Sequence, residues 1–270
     1  MYNKLTLSSN KVINGWCMYD WANSVYSLVI TTAIFPIYFN SVTTSLDGSY
    51  IVSFFGIQIV NSVLYSYSLS FSFLLLTIIQ PILSGIADYV GRKKLFLKIF
   101  MYLGSASCIS LYFFDGSNIE FGIICSVLAS LGFSGSLVFY NAFLPEIVSR
   151  DRFDRVSARG FSFGYLGSVI LLIICLVLIT FYDFFGFSNS ALATRFTFLL
   201  VGIWWIVFSQ ITFITVPEVV KNKKLSFSIL SYGTNELIKV WNYLKNVRNL
   251  KLFLFSSFFY SMGIQTVVLI

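Results

Sequence analysis

An aspartate stands inside the first long apolar run, Trp16-Cys17-Met18-Tyr19-Asp20-Trp21-Ala22-Asn23-Ser24-Val25-Tyr26, which continues to Phe39. A carboxylate within hydrocarbon costs at least ~2.5 kcal/mol on insertion scales, so such a residue belongs to a lined cavity or a paired functional site. On a helix of about 3.6 residues per turn, Asp20, Asn23, Ser24, Ser27 and Thr31 fall on one continuous polar stripe. That stripe has to face protein or water. Its chemistry is that of a proton site, of a cation site for a substrate, or of a partner to a basic residue near the same face. The plainer role, open to Asn23 and the hydroxyls, is to join helices by packing and hydrogen bonds.

A second polar cluster closes the fourth apolar run, at Phe139-Tyr140-Asn141-Ala142-Phe143-Leu144-Pro145-Glu146. Gly132 and Gly135 before it permit close helix approach, and Pro145 ends or redirects the helix. Glu146 reads as an interfacial acid salt-bridged to the arginines that follow. The fifth run opens with Gly160, Gly164 and Gly167, a small-residue packing seam. After the second run, Asp88, Gly91, Arg92 and Lys93 combine an acid at a helix end, a turn glycine and a cationic cluster. Positive charge in short cytoplasmic loops explains the cations but not the spacing of Asp88 and Gly91.

The elements that carry these residues are membrane spans. Mean hydropathy is +0.82 and only 11% of residues are charged, which excludes an ordinary soluble domain. Spanning hydrocarbon takes roughly 20 apolar residues, and residues 16–39, 63–87, 95–114, 121–144, 161–182 and 196–216 meet that length. A seventh run begins near Leu252 and is still running at Ile270. The ten-residue alternation of a membrane β-barrel is absent. The expected fold class is therefore an all-α integral membrane protein, with six transmembrane helices and the start of a seventh.

Basic residues precede span one and follow spans two, four and six, with Arg195 alone on the other side, so the N-terminus is expected in the cytoplasm. The net charge of +7 is then topology, not a nucleic-acid footprint. Residues 1–216 read as one six-helix bundle. Residues 217–250 read as a basic cytoplasmic linker, in which Leu237, Trp241 and Leu244 recur at helical spacing as in an amphipathic surface helix. Residues 251–270 read as an incomplete seventh span, as in part of a longer protein. Cys17, Cys108, Cys125 and Cys175 stand singly in apolar runs and there is no histidine, so neither metal nor cofactor is expected.

The loop from Ser84 to Lys94 resembles the cytoplasmic signature of the major facilitator superfamily, with Ser84 and Tyr89 where that pattern has a glycine and a basic residue. Tyr19-Asp20-Trp21-Ala22-Asn23-Ser24, Tyr140 to Glu146, and Ser157-Ala158-Arg159-Gly160 with Gly164-Tyr165-Leu166-Gly167 are similar to the vacuolar amino-acid effluxer branch, the autophagy-linked family and its bacterial relatives. Near Tyr260-Ser261-Met262-Gly263 that family often has an acid where Met262 stands. The resemblance implies two six-helix bundles with a small-molecule substrate held between them, rocking to alternate access. It places Asp20, Asn23, Tyr140, Asn141 and Gln265 toward the cavity, and the Asp88 loop as a latch against a second bundle that this chain does not contain.

The function expected is secondary transport of small solutes, by similarity amino-acid efflux, with coupling to a proton gradient open. The alternative is a transport-incompetent fragment or membrane scaffold. An enzyme is disfavoured by the lack of histidine, metal-ligand spacing and a phosphate loop. The location expected is a bacterial inner membrane, or a vacuolar membrane in a eukaryote.

Overall fold

The computed structural model describes residues 9–45, 47–218, 242–243 and 245–269, without the side chains of residues 86, 88–90, 248, 262 and 264–269. The proposed amphipathic segment around Leu237 and Trp241, and the side chains of Asp88, Met262 and Gln265, lie outside the described residues. Within them, six helices are long and apolar enough to cross a membrane. They are α1 (Asn10–Thr43), α2 (Asn61–Val90), α3 (Lys93–Ser110), α4 (Ile119–Asn141), α5 (Phe153–Thr180) and α6 (Ser190–Thr215), followed by α7 (Arg248–Leu269).

The helix limits follow local chemistry. Ser9, Asn118 and Asn189 each accept a backbone N–H three residues on, which caps the starts of α1, α4 and α6. Gly91 ends α2 in the left-handed region, φ 70°, with its N–H and that of Arg92 both on the Ala87 carbonyl. This is the tight turn expected of Gly91, because a side chain there would meet its own backbone. Pro145 lies in the first turn of a short helix, Leu144–Ile147, where its missing N–H costs nothing.

The first helix is not uniform. Its middle, Tyr26–Ile34, is π-helical, flanked by α-helical Asn10–Val25 and Phe35–Thr43. Pro36 stands two residues after its end, and a proline ring crowds the carbonyl four residues back, that of Thr32 within the π segment. The wider π winding gives the ring room, and the Thr32 hydroxyl donates to the Ser27 carbonyl at 2.9 Å across the widened turn.

The long connection between α1 and α2 holds an antiparallel hairpin, β1 (Ile51–Phe54) and β2 (Ile57–Val60). Phe55 and Gly56, both at positive φ, make its two-residue turn.

The core is aromatic. Trp16, Trp205, Tyr19, Tyr140, Phe35 and Phe139 are among its largest fully buried side chains. Thr212 of α6 donates to the Gly15 carbonyl of α1 at 2.7 Å, and Trp204 donates to the Trp21 carbonyl at 3.2 Å. On α5, Phe161, Tyr165, Leu166 and Ile173 point outward. That apolar outer face suits hydrocarbon.

The antiparallel run of helices gives two ends of opposite character. One carries Lys11, the Arg92–Lys94 turn and the arginines before α5; the other carries Asp47, Asp115, Glu120, Asp183 and Arg195. Cations at the basic end also hold helix C-termini, where carbonyls are left unpaired. Lys94 donates to the Phe213 carbonyl of α6 at 3.1 Å and to that of Val216, while Lys93 reaches the Ala142 carbonyl beyond α4 at 3.5 Å.

Candidate functional site

Asp20 sits near the basic end of α1, 6% exposed, where α1, α4 and α5 meet. The Tyr140 hydroxyl donates to its Oδ2 at 2.9 Å. Tyr140 is itself fixed: its ring stacks on Trp16 with centroids 4.3 Å apart and planes 11° apart, and Tyr19 packs on it at 5.0 Å. Trp16 Nε1 returns a hydrogen bond of 3.1 Å to the Tyr140 carbonyl. The donor that meets the carboxylate is thus held by ring packing and not by the flexible end of a long side chain.

The third wall is backbone. A Cβ at Gly160 would lie 2.5 Å from Asp20 Oδ2, 3.1 Å from the Trp16 ring and 3.2 Å from the Tyr140 hydroxyl. One turn on, a Cβ at Gly164 would lie 2.5 Å from Ser24 Oγ, and at Gly167 one would lie 2.9 Å from the Trp21 ring. The glycine seam of α5 therefore packs along the polar edge of α1, and its first member leaves the space that Asp20 occupies.

Among the described residues no lysine or arginine nitrogen lies within ion-pair distance of Asp20. A carboxylate buried in this way has two means of meeting its desolvation cost, taking up a proton or accepting a mobile cation. No group of three or more metal-ligating side chains occurs among the described residues.

The stripe expected on α1 is divided. Asp20 and Asn23 are buried, with Asn23 Nδ2 unpartnered, and Ser24 lies beside Asn23 at 3.5 Å. Ser27 is exposed. The π winding then turns fewer degrees per residue than an α-helix, so Thr31 and Thr32 come round to face α2. A uniform helical spacing could not foresee this change of face.

One further residue is placed differently from expectation. Glu146 pairs with Lys93 at 2.8 Å and not with the arginines that follow it, because the short Leu144–Ile147 helix carries it back toward the α2–α3 turn. Lys93 also donates to the Ala142 carbonyl, at 3.5 Å. Asn141 is exposed at the end of α4, one residue past the buried Tyr140. Trp16 and Tyr19 belong to the site as well, and aromatic residues one turn and one position before a buried acid are the sequence signal for them.

A family model described as "Vacuole effluxer Atg22 like" matches residues 8–270. The chain belongs to this family. An uncharacterized MFS-type transporter, YxiO of Bacillus subtilis, is 33% identical over 94% of the chain and 58% of its own length. Autophagy-related protein 22 of Neurospora crassa is 27% identical over 58% of the chain and 24% of its own length, and that of Coccidioides immitis is 21% identical over 75% and 47%. The chain thus spans between a quarter and three fifths of these relatives. No solved structure matches it. Six apolar helices and membership of an effluxer family make this Atg22-like chain a multi-pass integral membrane protein of the major facilitator type.

Proposed function

We propose that this Atg22-like chain is the first bundle of a secondary transporter of small solutes, with Asp20 as its proton or cation site. The observation that carries the reading is a buried carboxylate at a three-helix junction, met by one tyrosine hydroxyl and by no cation among the described residues. A structural acid would be expected to have a fixed countercharge, whereas an acid that exchanges a proton or cation needs its partner to leave.

In this reading a second bundle in the full-length protein completes the substrate cavity, and the two rock about it to alternate access. The basic end faces the cytoplasm, as the distribution of lysine and arginine directs. The family's description supports efflux, the cargo proposed is amino acids, and Tyr140 passes its hydrogen bond to or from Asp20 as the acid changes charge.

The test is solute flux through the full-length gene product in sealed vesicles under an imposed proton gradient. Asp20→Asn, which keeps the shape and removes the exchangeable charge, should abolish gradient-driven flux while leaving the protein in the membrane. Undiminished gradient-driven flux in that variant removes Asp20 from the mechanism.

A further inference from the structure

The close approach at Gly160 also brings an arginine toward Asp20. A Cβ at Gly160 would lie 2.5 Å from Asp20 Oδ2, so the Cα of Arg159, one residue earlier on α5, stands within about 8 Å of that oxygen by bond lengths alone. That is inside the sweep of an arginine side chain. Arg159 is nevertheless exposed, and its guanidinium rests against the Phe163 ring, with Cζ 5.8 Å from the centroid. Among the described residues no carboxylate pairs with it. The buried Cys17 thiol, three residues before Asp20, lies within electrostatic range of both Arg159 and Asp20, so the two charges share one neighbourhood.

The two groups are complementary in what they lack. Ionised Asp20 has the Tyr140 hydroxyl to offset its desolvation and no countercharge. Arg159 stays charged at any physiological pH and is held on α5 by a ring contact, which at an exposed site is weak and easily left. With a bare backbone at Gly160, no side chain on α5 obstructs the swing from Phe163 to the carboxylate.

The surroundings single out Arg159. The other titratable groups around Asp20 are the Cys17 thiol and the Tyr19 phenol of α1 and the Tyr140 phenol of α4, all neutral near pH 7 at their ordinary values. The one charge on α6, Arg195, lies at the acidic end. Toward the water, Lys11 stands roughly 13 Å back from Asp20 along α1, and Arg155 roughly 6 Å back from Arg159 along α5. Lys93 is taken by Glu146.

We propose that Arg159 is the departing countercharge of Asp20: it pairs with the ionised carboxylate and withdraws onto Phe163 when the acid takes up its proton or cation. Arg159 is then a positioning residue that sets how readily Asp20 gives up what it carries. The inference rests on the reading of Asp20 as the exchanging acid.

The test is the pH dependence of carbodiimide labelling of Asp20 in membranes that hold the full-length gene product. Dicyclohexylcarbodiimide attacks protonated carboxyl groups in apolar surroundings, and labelling lost in Asp20→Asn defines the signal. An opposite charge favours the ionised acid, so Arg159→Gln should move the labelling midpoint up by about one pH unit or more. Arg159→Lys should keep it near that of the parent. Phe163→Leu, which removes the resting place of the guanidinium, should move it down, and Arg155→Gln should leave it in place. An unmoved midpoint in Arg159→Gln, or an equal shift in Arg155→Gln, would overturn the proposal. Labelling is read without flux. An unmoved midpoint while Asp20→Asn still abolishes flux discards Arg159 and leaves the transport reading standing; a shifted midpoint with undiminished flux in Asp20→Asn keeps the pair and discards its part in transport.

Discussion

The two halves of α1 use polar residues in opposite ways. Near the basic end, Asp20 and Asn23 are sealed by rings and by a glycine face; near the acidic end, Thr31 and Thr32 border an open cavity with α2. The same helix thus holds a sealed acid and, further along, threonines at the edge of a cavity. The difference lies in the neighbours: α5 offers backbone at Gly160, while α2 offers serines whose protons are already committed. Ring and glycine packing surround the first site, and the π winding before Pro36 turns Thr31 and Thr32 toward α2.

The sharpest way to break that contrast is to add bulk on each side. Gly160→Val should destabilise the protein by about 3 kcal/mol, at the upper end for overpacking, because its side chain must displace Asp20 and Trp16. Ser66→Val, on the exposed face of α2, should stay within about 0.5 kcal/mol. Thermal unfolding in detergent, followed by loss of monomeric protein, measures both. Equal melting temperatures for the two variants would mean that the α1–α5 seam is looser than its geometry.

A smaller effect isolates the hydrogen bond from the packing. Tyr140→Phe keeps the stack on Trp16 and removes the donor to Asp20, so it should cost about 1 kcal/mol of stability. Its larger consequence should be a changed pH dependence of flux, since the charged form of Asp20 loses its fixed donor. Superimposable pH profiles for the variant and the parent would assign Tyr140 to packing alone.

The smallest effect concerns the π segment. Thr32→Val removes the bond to the Ser27 carbonyl without changing volume, and should cost about 0.5 kcal/mol. It should also raise hydrogen exchange of the amides in Tyr26–Ile34 relative to those in Asn10–Val25. Uniform exchange along the helix would show that Pro36 by itself suffices to hold the wider winding.

Much of the architecture is legible in the sequence because a bilayer leaves few choices. Six apolar runs became six spanning helices, and the positions of Gly91 and Pro145 marked turns that only those residues favour. Asp20 stood out by cost alone. What sequence did not foretell were the hairpin after α1, the π winding and the partner of Glu146. The first lay in a connection where hydropathy is a weak guide. The second changes helical periodicity itself, and the third depends on which helix end comes back beside which turn.

By itself, the sequence determined that this chain crosses a membrane as helices, that Asp20 lies within one of them, and that α5 can approach a neighbour closely at Gly160. These follow from transfer free energies and side-chain size, which are properties of residues. Tertiary structure decided that Gly160 meets Asp20, that Tyr140 is the donor, and that the hydroxyls of α1 and α2 share a cavity. Those depend on the rotation and crossing of helices, fixed by ring packing and by a local change of winding that no regular spacing encodes.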